Sequence, residues 1–163
     1  MKILSNNKKG FTLIELLAVI VILAILVMLA IPAVTRYLTA ARKGAFADNA
    51  VRAIDAVSAD VISKGFGKGA NPYCNGNTCT YNKDAIDGVL DKKLTASPFG
   101  GGYKCAVIVV SQSGATTDAY QYTYTMTMID ENGNGFTGKT SDQINSDFVE
   151  VDGSLKDATC PTS

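Results

Sequence analysis

The sequence contains no histidine and no tryptophan. Without histidine there is no Ser-His or Cys-His nucleophile pair, no imidazole metal ligand and no histidine acid-base chemistry. Catalysis therefore has little support, and no cofactor is called for. Charge is just as sparse in one place. Residues 11–31, FTLIELLAVIVILAILVMLAI, hold a single charged side chain, Glu15. Much of the 47% hydrophobic content of this 163-residue chain sits in that block, beside an otherwise polar remainder, which sets the protein apart from ordinary soluble enzymes. As a helix rising about 1.5 Å per residue the block is about 31 Å long, the thickness of a bilayer's hydrocarbon core. The 15 basic and 15 acidic residues balance only because Lys2, Lys8 and Lys9 precede the block. Residues 33–104 are net basic and residues 105–163 net acidic, but no stretch is basic enough to make nucleic acid a direct ligand.

A Lys-containing head before an apolar run fits a secretory signal, a plain membrane anchor, or an export segment cleaved before the run. The run is longer than the roughly 7–15 residues of a secretory signal core, and it continues into an Arg-bearing helical segment instead of a small-residue cleavage site. A plain anchor gives no reason for Glu15, because a carboxylate near the centre of a membrane helix costs about 2.5–3.5 kcal/mol, and less near an end. Some group must compensate for it. Arg36, Arg42 and Lys43 flank the far side as Lys2, Lys8 and Lys9 flank the near side, so charge alone does not orient the segment.

The stretch Lys8-Lys9-Gly10-Phe11-Thr12-Leu13-Ile14-Glu15 resembles the N-terminal signature of type IV pilins and the related pseudopilins. In these a basic leader ends in Gly and the next residue opens a long apolar helix with Glu at its fifth position. The resemblance covers about the first 45 residues. It implies a leader at 1–10, cleavage between Gly10 and Phe11 by a cytoplasmic prepilin peptidase, and methylation of the new Phe11 amine. It also implies an assembly helix at 11–32 ending in the family's proline, here Pro32. Glu15 is then expected to pair with the Phe11 amine of a neighbouring copy, because a carboxylate buried unpaired between helices is expensive. The implied protein waits in the cytoplasmic membrane and is polymerised by pilus assembly machinery into an extracellular homo-oligomeric filament, used in adhesion, motility or DNA uptake. The alternatives are a pseudopilin of a secretion or competence machine and a membrane-tethered binding module that never polymerises.

Beyond Pro32, the residues Val34, Leu38, Ala41, Ala45, Ala50, Ile54, Val57 and Val61 recur at steps of three to five, with charged residues largely between them. This predicts an amphipathic continuation over 33–64, kinked at Pro32 and capped by Gly65. Residues 65–163 read as a head in which 65–82 is a loop and Asn82 caps a helix through about Leu94. Strands are expected at Tyr103–Ser111, at Ala119–Ile129, near Phe136, and briefly at Phe148–Val151. Tyr120, Tyr122, Tyr124, Met126 and Met128 alternate with polar residues and should face the helix or neighbouring copies. The fold class is α+β, a long N-terminal helix on a small antiparallel sheet.

Cys74, Cys79, Cys105 and Cys160 all follow the membrane block, and an even count on an exported side favours disulfides. Three pairings are open. Cys74–Cys79 with Cys105–Cys160 is favoured over its alternatives and over a zinc site, whose paired spacing occurs only once. Asp130-Glu131-Asn132-Gly133-Asn134-Gly135 matches the first half of a calcium loop, yet Ser141 stands where a bidentate Glu is required. A tight turn explains the same residues, so no metal ligands are assigned.

Overall fold

The structure is a computed structural model that describes residues 10–66, 69–116 and 119–161. The leader lysines Lys2, Lys8 and Lys9 lie outside the described residues. The chain forms two compact units, one up to Thr39 and one from Ala40 onward. Helix α1, Leu13–Lys64, contributes to both. It ends where the sequence predicts: Gly65 takes a left-handed φ of 75° and its N–H donates to the Val61 carbonyl at 2.8 Å. Only glycine adopts that conformation without strain.

In the second unit, β1 (Cys74–Asn75), β2 (Thr78–Tyr81), β3 (Tyr103–Thr116), β4 (Ala119–Asp130) and β5 (Gly135–Thr140) form one sheet in the order of the chain. Every neighbouring pair is antiparallel. The chain is therefore α+β, with a long N-terminal helix whose later turns pack on a five-stranded sheet. The β3–β4 hairpin is the spine, with Ile108 opposite Met126 and Ala106 opposite Met128. Alternation puts these four on the face that buries the helix. Tyr124 also packs against this core, while Tyr122 is half-exposed and stacks on Phe66 with ring centroids 5.5 Å apart.

The helix stripe differs from the expected one. Val34, Leu38, Ala41 and Ala45 are exposed, and the buried set is Phe46, Ala47, Ala50, Ala53, Ile54, Val57 and Val61. Phe46 anchors it, fully buried with its ring centroid 5.5 Å from Tyr103 and 6.1 Å from both Phe99 and Phe136. A core aromatic of this kind contributes about 1.5–3 kcal/mol by burial.

Three further segments depart from expectation. The stretch 65–82 contains the β1–β2 hairpin, because its two-residue Gly76-Asn77 connection supplies the positive φ, 62° at Gly76, that a tight hairpin needs. Helix α2, Lys83–Val89, is capped by the Asn82 side chain, which accepts from the Ala85 N–H at 3.0 Å, but it stops short of Leu94. The Asp87 carboxylate accepts from the Leu94 N–H at 2.7 Å and turns the chain back while keeping Leu94 buried. At Phe148–Val151 there is no strand: Ser146–Phe148 is a 3₁₀ turn and only Glu150 bridges to Gly135. Asn145 accepts from the Asp147 N–H at 2.9 Å, and such local side-chain bonds compete with strand pairing.

The opposite face of the sheet carries a smaller cluster of Cys105, Val107 and Ile129, covered by Leu155 and Ala158 of the C-terminal segment. The Cys105–Cys160 disulfide and two bonds from Lys104 Nζ, to the Lys156 and Ala158 carbonyls, fasten that segment.

Candidate functional site

Gly10 and Phe11 precede the first turn of α1 and are exposed, Phe11 to 91%. Thr12 is the cap. Its backbone N–H and its hydroxyl both donate to Glu15 Oε2, at 2.8 and 2.9 Å, and the Glu15 N–H returns a bond to Thr12 Oγ1 at 3.3 Å. This is a reciprocal capping box, T-x-x-E. The first N–H groups of a helix have no partner within it, and in an apolar medium each unsatisfied group costs several kcal/mol. Glu15 therefore serves the helix start, and its negative charge sits at the favourable end of the helix dipole. Thr12 is the functional residue that sequence reasoning missed, although the T-x-x-E spacing before an apolar run announces it.

From this cap the apolar side chains run outward on all sides. Leu13, Ile14, Leu16, Leu17 and the following residues through Ile31 are exposed, Leu13 to 82% and Met28 to 75%. The helix is long and apolar enough to cross a membrane. A surface of this extent on a monomer marks a membrane or protein contact.

The chain carries a prokaryotic N-terminal methylation motif. The family model of that description matches residues 5–31. This motif is the signal sequence of type IV pilins and pseudopilins, and Gly10, Phe11, Thr12 and Glu15 all fall inside it. No curated protein and no solved structure matches the chain. The methylation motif ends one residue before Pro32. Helix α1 continues through this proline, and the Thr35 hydroxyl donates to the Ile31 and Pro32 carbonyls, both at 3.1 Å, in the turn that follows.

The other candidate residues lie in the second unit, outside the methylation motif. Cys74 is bonded to Cys79 across the β1–β2 register, and Cys105 to Cys160. Asp130 is fully buried at the end of β4. Its Oδ1 accepts from the Asn132 N–H at 2.9 Å and the Asn134 N–H at 2.8 Å, and its Oδ2 from the Ser97 hydroxyl at 2.8 Å and the Asn134 side-chain amide at 3.0 Å. Those donors occupy the lone pairs that a calcium ion would take, so the D-x-N-x-N-G residues form a turn organised by one carboxylate. Among the described residues no cluster of acidic, Cys or His side chains has metal-ligand grouping.

A second buried network fastens the end of α1. The Tyr81 hydroxyl donates to Asp60 at 2.8 Å and accepts from the Asn71 amide at 2.7 Å. Burial, aided by the Asp60 carboxylate, holds the Tyr81 hydroxyl well above the ordinary tyrosine range, and the Asn71 donor opposes it only in part.

Proposed function

We propose that this protein is a structural subunit of a type IV pilus-like filament. The observation that carries the reading is the conjunction at one helix end: a methylation motif, a Thr12–Glu15 capping box, and an apolar surface left exposed from Phe11 to Ile31. In the membrane that surface faces lipid. In a filament it faces the same surface on other copies, and the change of partner requires no refolding of the head.

The working parts follow from that reading. Residues 1–10 are a leader removed by prepilin peptidase between Gly10 and Phe11, and the freed Phe11 amine is methylated. Residues 11–32 span the membrane and then form the filament core, 33–64 continue the helix into the head, and 65–163 are the extracellular α+β head with its two disulfides. Glu15 Oε1 accepts no bond among the described residues, so one carboxylate oxygen is available for the Phe11 amine of a neighbour while the other keeps its cap. The role is structural, with no catalytic residue.

Electron microscopy of filaments sheared from the cell surface, with mass spectrometry of their subunit, tests the proposal. Long fibres containing this chain with methylated Phe11 at its N-terminus are expected. A processed chain without fibres, whose deletion blocks protein secretion, points to a pseudopilin instead. An uncleaved chain anchored as a monomer overturns both.

A further inference from the structure

The sequence contains three Asn-Gly pairs, at Asn75-Gly76, Asn132-Gly133 and Asn134-Gly135. Asparagine before glycine is the pairing most open to intramolecular attack, because glycine presents no Cβ to shield its backbone nitrogen. The structure separates the three sharply.

At Asn132 and Asn134 the attacking nitrogen is already engaged. The Gly133 N–H donates to the Asp130 carbonyl at 3.1 Å and the Gly135 N–H to the Glu150 carbonyl at 3.0 Å. Both leaving amides are held as well, the Asn132 amide by the Gly100 carbonyl at 2.9 Å and the Asn134 amide by both Asp130 oxygens. Space is closed too. A Cβ at Gly133 would lie 2.6 Å from the Lys156 nitrogen, and one at Gly135 would run into the Met128 carbonyl oxygen.

At Asn75 every one of these restraints is missing. Among the described residues no group bonds its side chain and no acceptor takes the Gly76 N–H. The residue is exposed, and the space around Gly76 is open. It also lies in β1, the two-residue edge strand of the sheet, where local opening is cheap. The Cys74–Cys79 bond keeps the hairpin closed at its base while Asn75 moves.

We propose that Asn75 is a site of spontaneous covalent modification, converting to aspartate and isoaspartate through attack by the Gly76 backbone nitrogen. In the step, the Gly76 nitrogen loses its proton and bonds to Asn75 Cγ. The bond from Cγ to the side-chain nitrogen breaks, and that nitrogen leaves with the proton as ammonia. Solvent water then opens the cyclic imide at either carbonyl. One opening restores the normal backbone as aspartate, and the other inserts the side-chain methylene into it as isoaspartate. Either product adds a negative charge to the hairpin tip. In a filament, where an assembled subunit is not replaced, the modified fraction would record age. That consequence rests on the filament reading, whereas the chemistry does not.

The test is peptide mapping of the full-length protein in detergent, incubated at neutral and mildly alkaline pH, then reduced and digested. Expected is conversion at Asn75, faster at the higher pH, with a transient species lacking ammonia. Its rate should exceed those at Asn132 and Asn134 by about tenfold or more, the factor given by a local opening cost of about 1.4 kcal/mol. Asn75→Gln should remove the charge gain from the intact protein. Conversion at Asn132 or Asn134 as fast as at Asn75, or an Asn75 that stays intact throughout, overturns the proposal whether or not filaments form.

Discussion

Thr12 and Glu15 close on each other across the first turn of α1, the Glu15 carboxylate accepting from Thr12 twice and the Thr12 hydroxyl accepting from Glu15 once. The one charge in the apolar block is thus partly satisfied within its own chain. A membrane helix that carried Glu15 without this cap would expose both a carboxylate and unpaired N–H groups to lipid.

Two substitutions separate the capping role from the assembly role. Thr12→Ala removes a cap worth about 1 kcal/mol. It should speed hydrogen exchange at the first-turn amides while leaving filaments thinner in number but present. Glu15→Ala removes the cap partner together with the charge proposed to pair with a neighbouring copy. It should leave leader cleavage intact and abolish surface filaments, as counted by electron microscopy. Wild-type numbers of filaments from Glu15→Ala would falsify the assembly role.

Phe46 and Leu38 sit on the same helix and should answer oppositely. Phe46 is fully buried against Phe99, Tyr103 and Phe136, so Phe46→Ala should cost about 3–5 kcal/mol, read as a lowered denaturation midpoint of the head. Leu38 is 47% exposed, so Leu38→Ala should shift that midpoint by less than about 0.5 kcal/mol. On the filament proposal, its loss should instead reduce the number of surface filaments.

That contrast shows what was legible in the sequence. The apolar block, the Gly65 stop, the Tyr-Met strand and the α+β class all follow from composition and period, because each is a local or strongly periodic signal. Gly10, Phe11 and Glu15 fall inside the matched methylation motif, where a family resemblance and not periodicity points to them. The first half of the expected helix stripe, Val34, Leu38, Ala41 and Ala45, is exposed, and burial begins only at Phe46. Periodicity marks which side of a helix is apolar but not where along it a partner begins, and here the aromatic cluster of Phe99, Tyr103 and Phe136 around Phe46 sets that point. The β1–β2 hairpin was hidden because its strands have two and four residues, too short to show alternation.

Asp130 gives a third test. Its carboxylate accepts from Ser97, Asn132 and Asn134, so Asp130→Ala would leave the buried Ser97 and Asn134 donors unpaired at about 1–3 kcal/mol each. A large fall in melting temperature is expected from Asp130→Ala. Calcium added to the wild-type protein should leave the melting temperature unchanged. A calcium-dependent rise that Asp130→Ala abolishes would show that the ion displaces those donors.

The two disulfides should differ in weight. Cys74–Cys79 spans a separation of 5 residues and Cys105–Cys160 one of 55. Loop-closure entropy then assigns about 2 kcal/mol to the first and about 4 kcal/mol to the second. Cys105→Ser with Cys160→Ser should therefore lower the denaturation midpoint more than Cys74→Ser with Cys79→Ser. The larger loss has a structural cause as well, since the untethered C-terminal segment uncovers Val107 and Ile129.

Stability should also fall at both ends of the pH scale, for identifiable reasons. Burial alone would raise the Asp87 carboxyl, but the Lys83 ammonium and the Leu94 N–H outweigh it and hold the group below the ordinary aspartate value. A depressed folded value contributes stability above the unfolded value, about 3.9, that is lost as pH falls through the folded one. Tyr81 has the opposite sign. Its hydroxyl is raised by burial and by Asp60, so its contribution is complete below the unfolded value of about 10 and disappears as pH rises from there toward the folded one. Tyr81→Phe leaves the buried Asn71 amide without its acceptor and should lower stability at neutral pH by about 1–3 kcal/mol. The deciding measurement is the difference in melting temperature between wild type and Tyr81→Phe across the alkaline range. It should narrow above about pH 10, as wild type loses what the variant never had. A difference that stays constant through that range would mean that the Tyr81 hydroxyl stabilises through its bonds to Asn71 and Asp60 without being raised on folding.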